Sequence, residues 1–149
     1  MKKSLNAWSV PSEVGFEEMF VSLKKAGFDA VELNLDAPGA GNHALSLETT
    51  DEELANIREM SERAGLPVCS ISSSQWGNST LGSKNGKIPA PVLMKKQIEC
   101  ARALGADGIA QMQRISAYAK DLGYYVLIDS MRGDVGNIAE IHAQAMFGT

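Results

Sequence analysis

Little in this sequence suits a nucleic-acid, membrane or disulfide-framework protein. Its 14 Lys and Arg are outnumbered by 18 Asp and Glu, giving a formal net charge of −4. Nucleic-acid recognition draws on a clustered basic surface. The lysines here come as scattered pairs, Lys2-Lys3, Lys24-Lys25 and Lys95-Lys96, which read as solvated helix faces, so no nucleic-acid partner is expected. No run of 18 apolar residues occurs, so no membrane span is expected. The opening MKKSLNAWSV carries two lysines but no apolar stretch of signal-peptide length. The only cysteines, Cys69 and Cys100, have no metal-ligand spacing around them and read as small buried residues in a reducing, cytoplasmic setting. The only histidines are His43, in the loop GNHALS, and His142, beside Ile141 on a helix flank; one histidine is not a metal site. No G-x-G-x-x-G follows a strand, and neither G-x-x-x-x-G-K-[ST] nor G-x-S-x-G occurs, so no cofactor is expected.

What is present is alternation of strand and helix. A chain of 149 residues with 44% hydrophobic content is large enough for a core, and one domain over 1–149 is expected. LNAWSV (5–10) reads as a first strand, followed by a helix with Phe16, Met19, Phe20 and Leu23 at helical spacing. DAVELNL (29–35) alternates, with Val31, Leu33 and Leu35 on one face and Ala30, Glu32 and Asn34 on the other. Thr50 and Glu53 form a capping box before a helix with Leu54, Ile57, Ser61 and Ala64 on one face. PVCSIS (67–72) is a third strand, and a polar loop (73–91) precedes a helix over about 92–104. Helix-ending glycines then fall at Gly27, Gly65, Gly105 and Gly123, at intervals of 38, 40 and 18 residues. The short last interval holds ADGIA (106–110), read as a strand, then helical Met112, Ile115, Ala119 and Leu122, with almost no room for a loop. An alternative reading runs 92–122 as one kinked helix. YYVLIDS (124–130) is a further strand, and Ile138, Ile141 and Ala145 mark a last helix.

Five such βα units predict an α/β fold with a mainly parallel sheet, either half of a TIM barrel or an open doubly wound sheet. Ligands of such folds bind on loops at the C-terminal ends of strands, so the segment missing at 110–111 is of the kind that carries chemistry.

LNAWSVP, KKAGFDAVEL, REMSERAGLPVCSIS and KKQIECARALGADGI, in that order over residues 4–110, resemble the sugar-phosphate isomerase/epimerase group of xylose-isomerase-like TIM barrels. The resemblance implies an eight-stranded barrel holding a divalent metal through Glu, Asp and His near later strands, with Glu32 and His43 near the pocket. YYVLIDSMRGDVGNIAEIHAQAMFG (124–148) and the helix before it resemble orotidine-5′-phosphate decarboxylase, another TIM barrel, whose signature is Asp-x-Lys-x-x-Asp followed by Ile/Val-Gly-Asn/Ser. Asp129, Asp134, Val135, Gly136 and Asn137 match, but Met131 occupies the lysine position. In that family the lysine protonates the product carbanion, which a thioether cannot do.

These two resemblances lead to an expectation: a chimera of barrel fragments joined near 110–111, engineered or selected, folded but without catalytic activity. The rival is a metal-dependent sugar-phosphate isomerase or epimerase. Asp129, Arg132 and Asp134 are the vestigial catalytic candidates, suited to a ribose, phosphate or metal; the favoured reading makes Asp134 a helix cap. Trp8, Glu32, His43 and Trp76 are the vestigial binding candidates. Trp8 and Trp76 suit stacking on a sugar or plugging the barrel end, and Glu32 in a strand needs a partner or a wet mouth. Sheet surface left uncovered by a half barrel predicts a homodimer.

Overall fold

The computed structural model describes residues 2–106 and 108–125. It divides into two compact units, Met1–Asp107 and Gly108–Thr149. In the first unit the strands β1 (Ser4–Asn6), β2 (Ala30–Leu35) and β3 (Val68–Ser73) form a parallel sheet in the order β1-β2-β3. Helix α1 (Phe16–Lys25) connects the first pair and α2 (Asp51–Ala64) the second, and α3 (Ala90–Ala103) follows β3. This is the expected α/β arrangement with sequential parallel strands.

Each helix is positioned by the face read from its spacing. Met19, Phe20 and Leu23 of α1 are buried, with Phe16 stacked on Phe20 at 6.2 Å between ring centroids. Leu54, Ile57 and Ser61 of α2 are buried, and Ser61 donates to Leu66 O at 2.8 Å, so this polar core position is satisfied. The capping box closes in both directions: Thr50 N–H donates to Glu53 Oε2 at 2.7 Å, and Glu53 N–H donates to Thr50 Oγ1 at 3.2 Å. These helices form one core with Val31, Leu33 and Leu35, all fully buried on one face of β2. All four helix-ending glycines have positive φ, between 64° and 85°, the left-handed conformation that stops a helix without steric cost.

The structure departs from expectation in five places. The first strand ends at Asn6 rather than running to Val10, because Asn6 Oδ1 accepts the Trp8 N–H at 2.9 Å and turns Ala7–Ser9 into a single 3₁₀ turn. Cys100 is buried as expected, but Cys69 is exposed. In β3, Val68 pairs with Val31 and Ser70 with Glu32, so one step on β2 is matched by two on β3 and Cys69 is the extra residue of a β-bulge. The bulge resets the alternation so that Val68 and Ile71 share the core face. ADGIA does not make a strand: α4 (Gly108–Asp121) takes up Gly108 to Ala110. The continuation Gln111-Met112-Gln113-Arg114 is rich in helix formers, and it extends the helix upstream. Nor do 92–122 form one helix, since Gly105 at φ 80° ends α3 and Ala106 N–H returns to Ala101 O. The start of α3 at Ala90 is two residues earlier than expected. Three strands are present among the described residues. Of YYVLIDS, Tyr124 and Tyr125 are irregular, and its remainder lies outside the described residues with the last helix.

Candidate functional site

The second face of the sheet is polar. The register sets Asn6 beside Glu32, Glu32 beside Ser70, and Asn34 beside Ser72. Parallel partners share a face, so Asn6, Glu32, Asn34 and the two serines form one patch toward the C-terminal ends of the strands. Asn6, Glu32, Asn34 and Ser72 are linked by hydrogen bonds. Asn6 Nδ2 donates to Glu32 Oε2 at 2.7 Å and to Ser72 Oγ at 3.3 Å, and Asn34 Nδ2 donates to the same hydroxyl. Glu32 thus has the partner that a carboxylate inside a strand requires.

Just beyond the strand ends, one carboxylate ties three connections together. Asp36 follows β2 and is only 6% exposed. Its Oδ2 accepts the Trp8 indole N–H at 2.8 Å from the turn after β1, and its Oδ1 accepts Ser74 Oγ from the turn after β3. Ser73 Oγ donates to Leu35 O at 2.7 Å and fixes the same corner. Each bond to Asp36 is charge-assisted and spans a different strand end, so the carboxylate sets where Trp8 and the Ser74–Asn78 turn lie. The Trp8 ring itself stays 55% exposed.

His43, on the loop after β2, is buried, with Nδ1 at 2.8 Å from Val14 O and Nε2 at 3.1 Å from Ala7 O. Both ring nitrogens therefore face backbone carbonyls, and the imidazole pins its loop to the segment after β1. Trp76 lies in the 3₁₀ turn Ser74–Asn78, half-buried, and packs against the core. Asp129, Arg132 and Asp134 lie outside the described residues, as do Met131 and His142. Among the described residues, no three of His, Cys, Asp and Glu come together to hold a metal ion.

Trp8, Asn34, Asp36 and His43 line a cleft of about 250 Å³ between the strand ends and the 37–44 loop. The structure thus brings Trp8 and His43 together, leaves Glu32 on the adjoining sheet face, and packs Trp76 against the core. Two lining residues, Asn34 and Asp36, escaped the sequence-level choice of site residues. Their signal was the alternation Glu32-x-Asn34-x-Asp36, three polar residues in step with the apolar face of β2. What the arrangement offers a ligand is hydrogen-bond acceptance beside an indole.

No family model matches the chain. Over 75 residues, half of this chain, it is 33% identical to orotidine 5′-phosphate decarboxylase of Deinococcus radiodurans, of which it covers 28%. That segment is longer than 111–148 and so necessarily includes residues before 111. A solved xylose isomerase domain containing protein from Salmonella typhimurium is similar with a TM-score of 0.46 and 20% identity, covering 70% of this chain and 34% of that one. The chain therefore spans about a third or less of the length of the proteins it matches.

Proposed function

We propose that the chain joins pieces of two barrel families and folds without performing the decarboxylation of orotidine 5′-phosphate or a metal-dependent sugar-phosphate isomerisation. The observation that carries this reading is Met131, which stands between Asp129 and Asp134 where the decarboxylase-type motif has its proton-donating lysine. A thioether supplies neither a proton nor a positive charge, so the carbanion left by loss of carbon dioxide has no acid beside it. The placement of His43 against the carbonyls of Val14 and Ala7, and the bond from Asn6 to Glu32, support a structural use of residues that the isomerase resemblance singles out.

The test is turnover of orotidine 5′-phosphate by the chain and by Met131→Lys, alongside calorimetry with Mn²⁺. No turnover by the chain as it stands and no heat with Mn²⁺ is the expected result. Decarboxylation by the unaltered chain overturns the reading, and so does saturable Mn²⁺ binding accompanied by sugar-phosphate isomerisation. Turnover appearing only in Met131→Lys supports it and locates the missing group. The proposal includes a homodimer, since β1 and β3 each have one partner strand among the described residues. Sedimentation that returns a monomer at every concentration overturns that part.

A further inference from the structure

One asparagine in this chain precedes a glycine, Asn85 before Gly86; Asn6, Asn34, Asn42, Asn56, Asn78 and Asn137 all precede larger residues. Asn85 lies exposed in the turn between Ser79 and Ile88. Its side-chain amide has no hydrogen-bond partner among the described residues, and only its main-chain N–H is held, by Ser83 Oγ at 3.2 Å. The amides of Asn6, Asn34, Asn42 and Asn78 instead each donate to a neighbour. Gly86 packs main chain against main chain: a Cβ on it would overlap Ser79 O and lie 2.8 Å from Thr80 N. That contact sits inside a latch, in which Thr80 N–H donates to Ile88 O at 2.8 Å and Ile88 N–H donates to Asn78 O at 3.1 Å.

We propose that Asn85 is a site of spontaneous deamidation and that its isoaspartyl product opens the latch between Ser79 and Ile88. The reacting atoms belong to adjacent residues, so the attack is intramolecular and closes a succinimide ring. The Gly86 nitrogen attacks Asn85 Cγ. The new C–N bond replaces the bond from Cγ to Nδ2, and the Gly86 proton leaves with Nδ2 as ammonia. Gly86 brings no Cβ to crowd that approach. Its N–H donates to Ser83 O at 3.0 Å, so the turn opens locally before each attack, and an exposed turn opens at low cost. Water then hydrolyses the ring. Breaking the bond between Cγ and the nitrogen gives aspartate. Breaking the bond between the main-chain carbonyl carbon and the nitrogen gives isoaspartate, in which the chain runs through Cβ. Either product replaces a neutral amide by a carboxylate and adds one negative charge to the net −4. The charged neighbours in the turn are Lys84 and Lys87, so the new carboxylate is not repelled. Only isoaspartate lengthens the main chain, beside a glycine with no space to shift against Ser79 and Thr80.

Incubation of the full chain in mildly alkaline buffer, followed by peptide mapping with fragmentation that locates the modified residue, tests this. The expected result is a gain of about one mass unit at Asn85, the difference between amide and acid, accumulating several-fold faster than at any other asparagine and with isoaspartate among the products. Asn85→Gln, whose longer side chain closes a larger ring less readily, loses it. Amide hydrogen exchange then reads the latch. The Thr80 and Ile88 N–H groups are expected to exchange several-fold faster in the isoaspartyl protein than in the unmodified chain. Asn85→Asp carries the charge without the extra backbone carbon and is expected to exchange like the unmodified chain. An Asn85 that stays unmodified, or that converts no faster than Asn78, overturns the site. Unchanged exchange in the isoaspartyl protein, or equally fast exchange in Asn85→Asp, overturns the opening of the latch.

Discussion

Replacing Asp36 by Ala removes a side chain that ties the turns after β1 and β3 to the end of β2. Two charge-assisted bonds are lost, each ordinarily contributing about 1.5–3 kcal/mol. Both are discounted here: Trp8 is 55% exposed and Ser74 is exposed, so water can replace the carboxylate for each donor. Deleting Asp36 also relieves the cost of holding a nearly buried carboxylate without a counter-charge. The balance is a loss of about 2 kcal/mol, from two bonds near the low end of their range. Trp8→Phe removes only the indole donor, and a double-mutant cycle isolates its bond to Asp36, with an expected coupling of about 1 kcal/mol. Urea unfolding followed by far-UV circular dichroism and by Trp76 fluorescence, present in all four proteins, measures the cycle. A coupling indistinguishable from zero refutes the idea that this carboxylate positions Trp8.

Three further outcomes follow from the geometry. A Cβ on Gly86 would sit 2.0 Å from Ser79 O and 2.8 Å from Thr80 N, contacts that only backbone movement relieves. Gly86→Ala is therefore expected to break the Ser79–Ile88 bridge and speed proteolytic cleavage within residues 77–88; an unchanged cleavage rate contradicts it. Exposed Cys69 is expected to react with a thiol reagent in the folded protein while buried Cys100 reacts only on unfolding. Burial, partly offset by Lys96, pushes the Cys100 thiol above its ordinary value of 9.0. The folded state therefore keeps this proton longer than the unfolded one, and the group's contribution to stability is intact below pH 9.0 and lost as pH rises through the raised value. Stability that falls equally in Cys100→Ala over that range removes the assignment.

Local signals were readable where neighbours in sequence decide the outcome. The alternation Val31-Leu33-Leu35, the helical spacing of Met19, Phe20 and Leu23, and the Thr50–Glu53 box each rest on residues a few positions apart, and each appears in the fold. Long-range pairing was not readable. The bulge at Cys69 depends on what β2 presents to β3, and a strand read in isolation gives no reason for the extra residue. The short strand expected at 106–110 yielded to the helix-forming run that follows it. The cleft was half legible: Trp8 and His43 stood out as residue types, whereas Asp36 matters through Trp8 and Ser74, 28 and 38 positions away. Carboxylates after strands are common, and only the folded sheet shows which one gathers its neighbours.

The measurement closest to the central claim is a single-turnover experiment with protein in excess over orotidine 5′-phosphate labelled in its carboxyl carbon. With Met131 in the lysine's place, the label is predicted to stay in solution as orotidine 5′-phosphate. Release of labelled carbon dioxide at a rate that scales with protein concentration would contradict the account.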